Sequence, residues 1–315
     1  MNMQCSELQT RSKLSIRTGI CMINSYFRSF FPVVVLVGVV PQLYTMWLSW
    51  RVVSFCLPKW LYQRGDDAVF LIYQRIILYF FEHWVKAEIL FYGDVEDVFK
   101  KREKVIYISN HQSTVDWIIV GMLAIRQGSE GNVRFIMKNQ LQLIPMVGMY
   151  LYHHGCIYVR RGKFNPEKMM AGLEYLKNRD IPSWIVIFPE GTRYNPESKD
   201  LAEKNKQIAQ SQGLQPLTHC SMPKSRGFHL MMEKMRNNIE YVYNATIIYE
   251  DAQEKGQRKR APSMFEFMKL HKPRIHIHVE RISVSSIPKG ESDVKTWLNN
   301  AFTNTDSGSP PVNLS

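Results

Sequence analysis

Two apolar runs that each break off into a polar cluster constrain this chain more than any other feature. Val105 to Ile108 opens into NHQSTVDW (Asn110 to Trp117), and Trp184 to Phe188 opens into PEGTR (Pro189 to Arg193). Short runs of β-branched and aromatic residues bounded by turn formers read as buried strands. In the first cluster His111 precedes Asp116 by five positions. Residues five apart on a continuous helix lie about 140° from each other, so the pair cannot share a helical face. The spacing therefore predicts His111 in a strand-to-helix turn, with Asp116 in the first helical turn reaching back to the ring. An Asp–His hydrogen bond fixes the tautomer, frees the other ring nitrogen to take a proton and stabilises the imidazolium that results. The same residues also fit a local role, because Ser113 with Asp116 matches a capping box.

In the second cluster Pro189 halts the strand, Gly191 permits close backbone approach and Arg193 offers a planar fork to a phosphate. A turn carrying a solvated arginine is the plain alternative. A third stretch, GCIYVRR (Gly155 to Arg161), is a β-run ending in two arginines. Ser113 stands near His111, but no Gly-x-Ser-x-Gly elbow surrounds it, which argues against covalent serine chemistry. Together the clusters point to acyl transfer onto a hydroxyl of a phosphorylated substrate.

On these motifs the chain resembles the glycerolipid acyltransferases, the 1-acylglycerol-3-phosphate (lysophosphatidate) acyltransferases. NHQSTVDW is similar to that family's first motif, GCIYVRR to the second with Arg161 at its terminal arginine, and FPEGTR to the third. The resemblance runs from about Phe30 to at least Arg281, and YGD (Tyr92 to Asp94) and FPEGTRYNP look most like the epsilon type. It implies His111 and Asp116 as the catalytic pair, and Arg161, Glu190, Gly191, Thr192 and Arg193 at the phosphate or the motif turn. Lys138, ahead of LQLIPMVG, resembles a lysine-bearing segment that lines the family's acyl site. The implied reaction moves an acyl chain from acyl-CoA, a co-substrate, to the sn-2 hydroxyl of lysophosphatidate, with no cofactor, no metal and no nucleic acid. Another lysophospholipid acceptor, such as lysophosphatidylglycerol or monolysocardiolipin, and an inactive lipid-binding scaffold are the alternatives. The family's fourth motif has only two candidates, MPKSRGF (Met222 to Phe228) and YVYNATIIY (Tyr241 to Tyr249). The chain also lacks the hydrophobic C-terminal tail of epsilon-type relatives, as a shortened isoform or a paralogue would.

The formal charge of +12 suits an anionic partner: a phosphate headgroup, coenzyme A or an acidic membrane surface. The basic residues are scattered and no nucleic-acid module is present, which argues against nucleic acid. Five cysteines at irregular spacing give neither a disulfide framework nor a zinc pattern, and imply a reducing compartment. Ser29 to Trp50 carries no charge and has about the length of a bilayer span, although Pro32 and Pro41 would kink it. Ala68 to Tyr92, apolar but with five ionisable residues, reads as an amphipathic or packed helix.

The fold class expected is α/β: a mixed central sheet covered by helices, with an N-terminal membrane-anchoring helical segment. Strands are predicted at Val105 to Ser109, Val133 to Met137, Gly155 to Val159, Trp184 to Phe188, Val242 to Tyr249 and Arg274 to Val279. Helices are predicted at Thr114 to Arg126, Pro166 to Asn178 and Leu201 to Gln212. The division is a polar segment 1–28, an anchoring region 29–92, a catalytic domain 93–303 and a disordered tail 304–315. His276 and His278 alternate on one strand face, expected to be solvated, and Asp251 to Pro262 reads as a surface loop. The resemblance places the protein in the endoplasmic reticulum membrane, or for the epsilon type the mitochondrial outer membrane.

Overall fold

The computed structural model describes residues 26–28, 30–160, 162, 164–177, 183–250, 260–270 and 272–307. Most of the polar segment 1–28 and of the charged loop at 251–262 lies outside these residues, as do Arg161 and the tail beyond 307.

An apolar helix, α1 (Tyr26–Cys56), leads the chain. It is broken at Val39, where Pro41 has no N–H to give the preceding turn. Next come α2 (Lys59–Leu78), which loosens into a π-helical stretch at Tyr79–Trp84, then β1 (Glu88–Gly93) and α3 (Val95–Lys100). The alternating part follows as β2 (Val105–Ser109), α4 (Asp116–Arg126), β3 (Val133–Lys138), α5 (Val147–His154), β4 (Ile157–Val159), α6 (Pro166–Lys177) and β5 (Trp184–Ile187). It closes with α7 (Lys199–Ser211), α8 (Ser225–Met235), β6 (Tyr241–Tyr249), α9 (Met264–Lys269), β7 (Arg274–Ser283) and α10 (Glu291–Asp306).

The seven strands form one sheet in the order β1-β7-β6-β2-β5-β3-β4, parallel throughout except for the β6–β7 pair. A central parallel strand is covered on both faces, and the continuous burial of β2 and β5 follows from that. Side chains alternate between two cores. Val105 and Tyr107 of β2 join Phe70, Ile77 and Leu78 of α2 and Met122 and Leu123 of α4 on one face. Ile106 and Ile108 join Leu173 of α6, Phe228 and Met231 of α8 and Leu298 and Phe302 of α10 on the other. The result is the expected mixed sheet between helical layers.

Three expectations fail here. Ala68 to Tyr92 is not one helix: its last residues form β1, whose pairing with β7 puts it in the sheet, so a boundary at 92/93 falls inside a strand. The tail does not begin at 304, because α10 continues to Asp306. His276 is not solvated. It is buried between the Tyr92 hydroxyl and the Glu250 carboxylate, each 2.9 Å from a ring nitrogen.

α2 and the π-helical stretch that continues it are pinned to the α/β part by charge as well as by packing. Asp67 pairs with Arg134 of β3, Glu82 with Arg126 of α4, Arg75 with Glu130 at 2.9 Å, and Asp66 with His154 of α5 at 2.7 Å. α1 differs: it has the length and composition to cross a membrane, and only 11% of its most apolar window is buried. It seats on α2 where Trp50 covers Gly65, leaving no room for a Cβ, and the indole Nε1 donates to the Tyr62 carbonyl at 3.0 Å.

Candidate active site

Because β3, β5, β2 and β6 are parallel, their carboxyl ends emerge at one edge of the sheet, the edge where open α/β sheets bind ligands. That edge brings together Lys138, the PEGTR turn, the NHQSTVDW turn and Tyr249. Asn110, the first residue past β2, extends the sheet with its side chain. Its Nδ2 donates to the Ile247 carbonyl at 2.9 Å, and its Oδ1 accepts from the Ile247 N–H at 2.8 Å. The amide thus imitates a backbone peptide and fixes where the turn begins.

His111 follows in that turn and Asp116 opens α4, as the spacing predicts. His111 Nδ1 lies 2.9 Å from Asp116 Oδ2. A carboxylate only accepts, so Nδ1 carries the proton and Nε2 is the ring atom free to receive one. The local role holds as well, since the same Oδ2 accepts from the N–H groups of Gln112 (2.7 Å) and Ser113 (2.8 Å). Asp116 is fully buried, whereas the His111 side chain keeps 18% of its surface exposed and stacks on Phe188 with ring centroids 4.4 Å apart. The second oxygen, Oδ1, accepts from the Tyr249 hydroxyl at 2.7 Å. Burial holds that phenol well above its ordinary pKa, and the neighbouring Asp116 charge adds to the effect. Both carboxylate oxygens of Asp116 are therefore anchored.

Glu190 joins the two motifs rather than facing a ligand. It is buried; Oε1 accepts from the His111 N–H at 2.6 Å and Oε2 from the Ser221 N–H at 2.8 Å. Burial raises its pKa from 4.5 to about 8 against the pull of those two donors. Gly191 adopts φ +68°, and a side chain there would press on the Lys224 amine. Its glycine thus serves the turn and Lys224. Neither residue lines the cavity, and of the two placements expected, the phosphate or the motif turn, their contacts fit the turn.

A cavity of about 500 Å³ opens beside the pair. His111, Lys138, Thr192 and Arg193 line it, together with Tyr194, Thr218, His219 and Arg260. Of the remaining site residues expected from sequence, only Arg161 lies outside the described residues. Tyr249, Tyr194, His219 and Arg260 were not anticipated. The signal for Tyr249 was its place as the last residue of a strand whose carboxyl end meets the first motif. Of the two stretches considered for a fourth motif, β6 supplies Ile247 and Tyr249 to the site, and the other backs the PEGTR turn through a Lys224 N–H bond to the Pro189 carbonyl at 2.9 Å.

An oriented histidine with a free nitrogen beside three cavity cations, Lys138, Arg193 and Arg260, is an arrangement that suits general-base chemistry on an anionic substrate. Comparison with known proteins gives the family. Residues 94–249 match the model for "Acyltransferase", and residues 267–307 the model for "Acyltransferase C-terminus". The chain is 40% identical to 1-acyl-sn-glycerol-3-phosphate acyltransferase epsilon of Mus musculus, over 87% of this chain and 75% of that one. It is 28% identical to probable 1-acyl-sn-glycerol-3-phosphate acyltransferase 5 of Arabidopsis thaliana, over 84% of this chain and 64% of that one. The 1-acyl-sn-glycerophosphate (LPA) acyltransferase PlsC of Thermotoga maritima aligns in structure with a TM-score of 0.49 at 15% identity, covering 91% of this chain and 93% of its own. The chain belongs to the 1-acyl-sn-glycerol-3-phosphate acyltransferase family.

Proposed function

We propose that the protein transfers an acyl group from acyl-CoA to the sn-2 hydroxyl of 1-acyl-sn-glycerol 3-phosphate, giving phosphatidate and free coenzyme A. The observation that carries this reading is the His111–Asp116 bond of 2.9 Å at the wall of a cavity shared with Arg193 and Lys138. His111 Nε2 takes the hydroxyl proton as the oxygen attacks the thioester carbonyl. The tetrahedral adduct collapses, the carbon–sulfur bond breaks, and the imidazolium returns its proton to the departing thiolate. Asp116 keeps the imidazole in the productive tautomer. Arg193 forks onto the acceptor phosphate, with Arg161 as its partner, and Thr192 adds a hydroxyl. Lys138 stands at the acyl side. No step uses a metal, a cofactor or an acyl-enzyme.

The acceptor carries one long chain and the product two, which suits a membrane site. We place α1 in the bilayer on its length, its composition and the exposure of its apolar surface, in the endoplasmic reticulum or the mitochondrial outer membrane. The test is an acceptor screen with purified protein and labelled acyl-CoA, run beside His111→Ala. Acylation of lysophosphatidate far above other lysolipids, abolished in the variant, supports the assignment. A preference for lysophosphatidylglycerol or monolysocardiolipin would change the acceptor, and a His111→Ala variant retaining about a tenth of the rate would remove the general base.

A further inference from the structure

Four consecutive N–H groups, from Thr218 to Ser221, all point at carboxylates. Those of Thr218 (2.8 Å), His219 (2.5 Å) and Cys220 (3.2 Å) donate to Asp306, the last residue of α10, and the Thr218 hydroxyl joins them at 3.0 Å. The N–H of Ser221 donates to Glu190, the residue that also holds the His111 backbone. The carbonyls of the same loop turn toward the site: Thr218 O accepts from the Tyr194 hydroxyl at 2.5 Å, and His219 O from the Gln112 amide at 2.8 Å. Thr218 and His219 are themselves cavity wall.

Asp306 sits where a helix least favours it. The C-terminal end of a helix carries partial negative charge, so an acidic residue there is unfavourable, and α10 has no basic residue in its last turn to offset this. Its position makes physical sense only through the donors it collects, since hydrogen bonds to a charged group are roughly twice as strong as neutral ones.

We propose that Asp306 is a positioning residue for acyl transfer. By gathering the Thr218–Cys220 amides it presents the loop carbonyls to Tyr194 and Gln112, delivers the Ser221 N–H to Glu190, and so sets one cavity wall against His111. The inference rests on the reading of this cavity as the active site.

The test uses the full chain with Asp306→Asn and Asp306→Glu, at a temperature where circular dichroism shows each variant folded. Asparagine keeps the shape but turns an NH₂ toward one set of donors. Amide hydrogen exchange should accelerate in the 218–221 loop, and kcat/KM should fall about tenfold, most of it regained in Asp306→Glu. Faster exchange in the loop with kcat/KM within about twofold of wild type would make the contact merely structural and overturn the proposal. Unchanged exchange would overturn it too. Should Asp306→Asn fail to fold, Thr218→Val removes only the hydroxyl bond: a two- to threefold loss, roughly, supports the proposal, and wild-type kinetics overturn it. Absence of transfer by the wild type would instead defeat the functional reading on which the inference stands.

Discussion

At the scale of single residues, the site is a set of carboxylates whose oxygens are already assigned. Tyr249→Phe deletes one bond to buried Asp116 and leaves Oδ1 without that donor, which costs about 1–3 kcal/mol. We expect kcat to fall roughly tenfold while both KM values hold, because the bond orients the base rather than a substrate; a KM effect alone would place Tyr249 at a ligand. Arg193→Lys keeps the charge but loses the fork, so KM for lysophosphatidate should rise more than KM for acyl-CoA. An equal rise in both would move the arginine to the coenzyme. Glu190 makes a pH prediction. Its pKa is raised by burial from 4.5 to about 8, so between those values the folded state holds a proton that the unfolded chain has released. Its contribution to stability is complete below about 4.5 and is lost as pH rises through about 8. The melting temperature of the wild type should therefore decline from pH 5 to pH 8 relative to Glu190→Gln; parallel curves would show that the two N–H donors keep the carboxylate charged. His111, Asp116 and Arg193 were legible in the sequence because their spacing and flanking apolar runs are local. Tyr249 and the bridging role of Glu190 were not, since they act between strands and loops far apart in the chain.

Among the elements, α2 has most to answer for. Arg134 is buried on β3 against Asp67, and removing one member of a buried ion pair strands the other charge. Arg134→Ala should cost about 3–5 kcal/mol in denaturant unfolding, against under about 1 for the exposed Lys100–Glu96 pair. Similar losses at the two positions would mean that Arg134 is solvated. The central strands β2 and β5 announced themselves as uninterrupted apolar runs, which a doubly covered parallel strand requires. β1 did not, because an edge strand continuing an apolar helical segment leaves no break in composition, and its identity comes from pairing with β7. The last turn of α10, Asn304 to Asp306, is made of residues of low helix propensity and reads as tail until Thr305 is seen buried. His276 misleads in the same way: its partners Tyr92 and Glu250 belong to other segments of the chain.

For the whole molecule, the boundary that matters lies between α1 and α2. Deleting residues through Leu57 removes the apolar helix and leaves the sheet and its ionic contacts to α2 intact. That variant should fold and be released by alkaline carbonate or high salt, while the full chain resists both. Deleting through Tyr92 takes β1 and α2 from the core and should give no folded product by circular dichroism. Carbonate release of the full chain would mean that α1 packs against protein instead of lipid. The Trp50–Gly65 seat gives this arrangement a further meaning. A flexible leash would let the catalytic edge wander over the lipid and meet headgroups at any depth. A ring wedged onto bare backbone is a rigid mount, so with α1 placed in lipid as proposed above, the catalytic edge would be held at a fixed height over the bilayer.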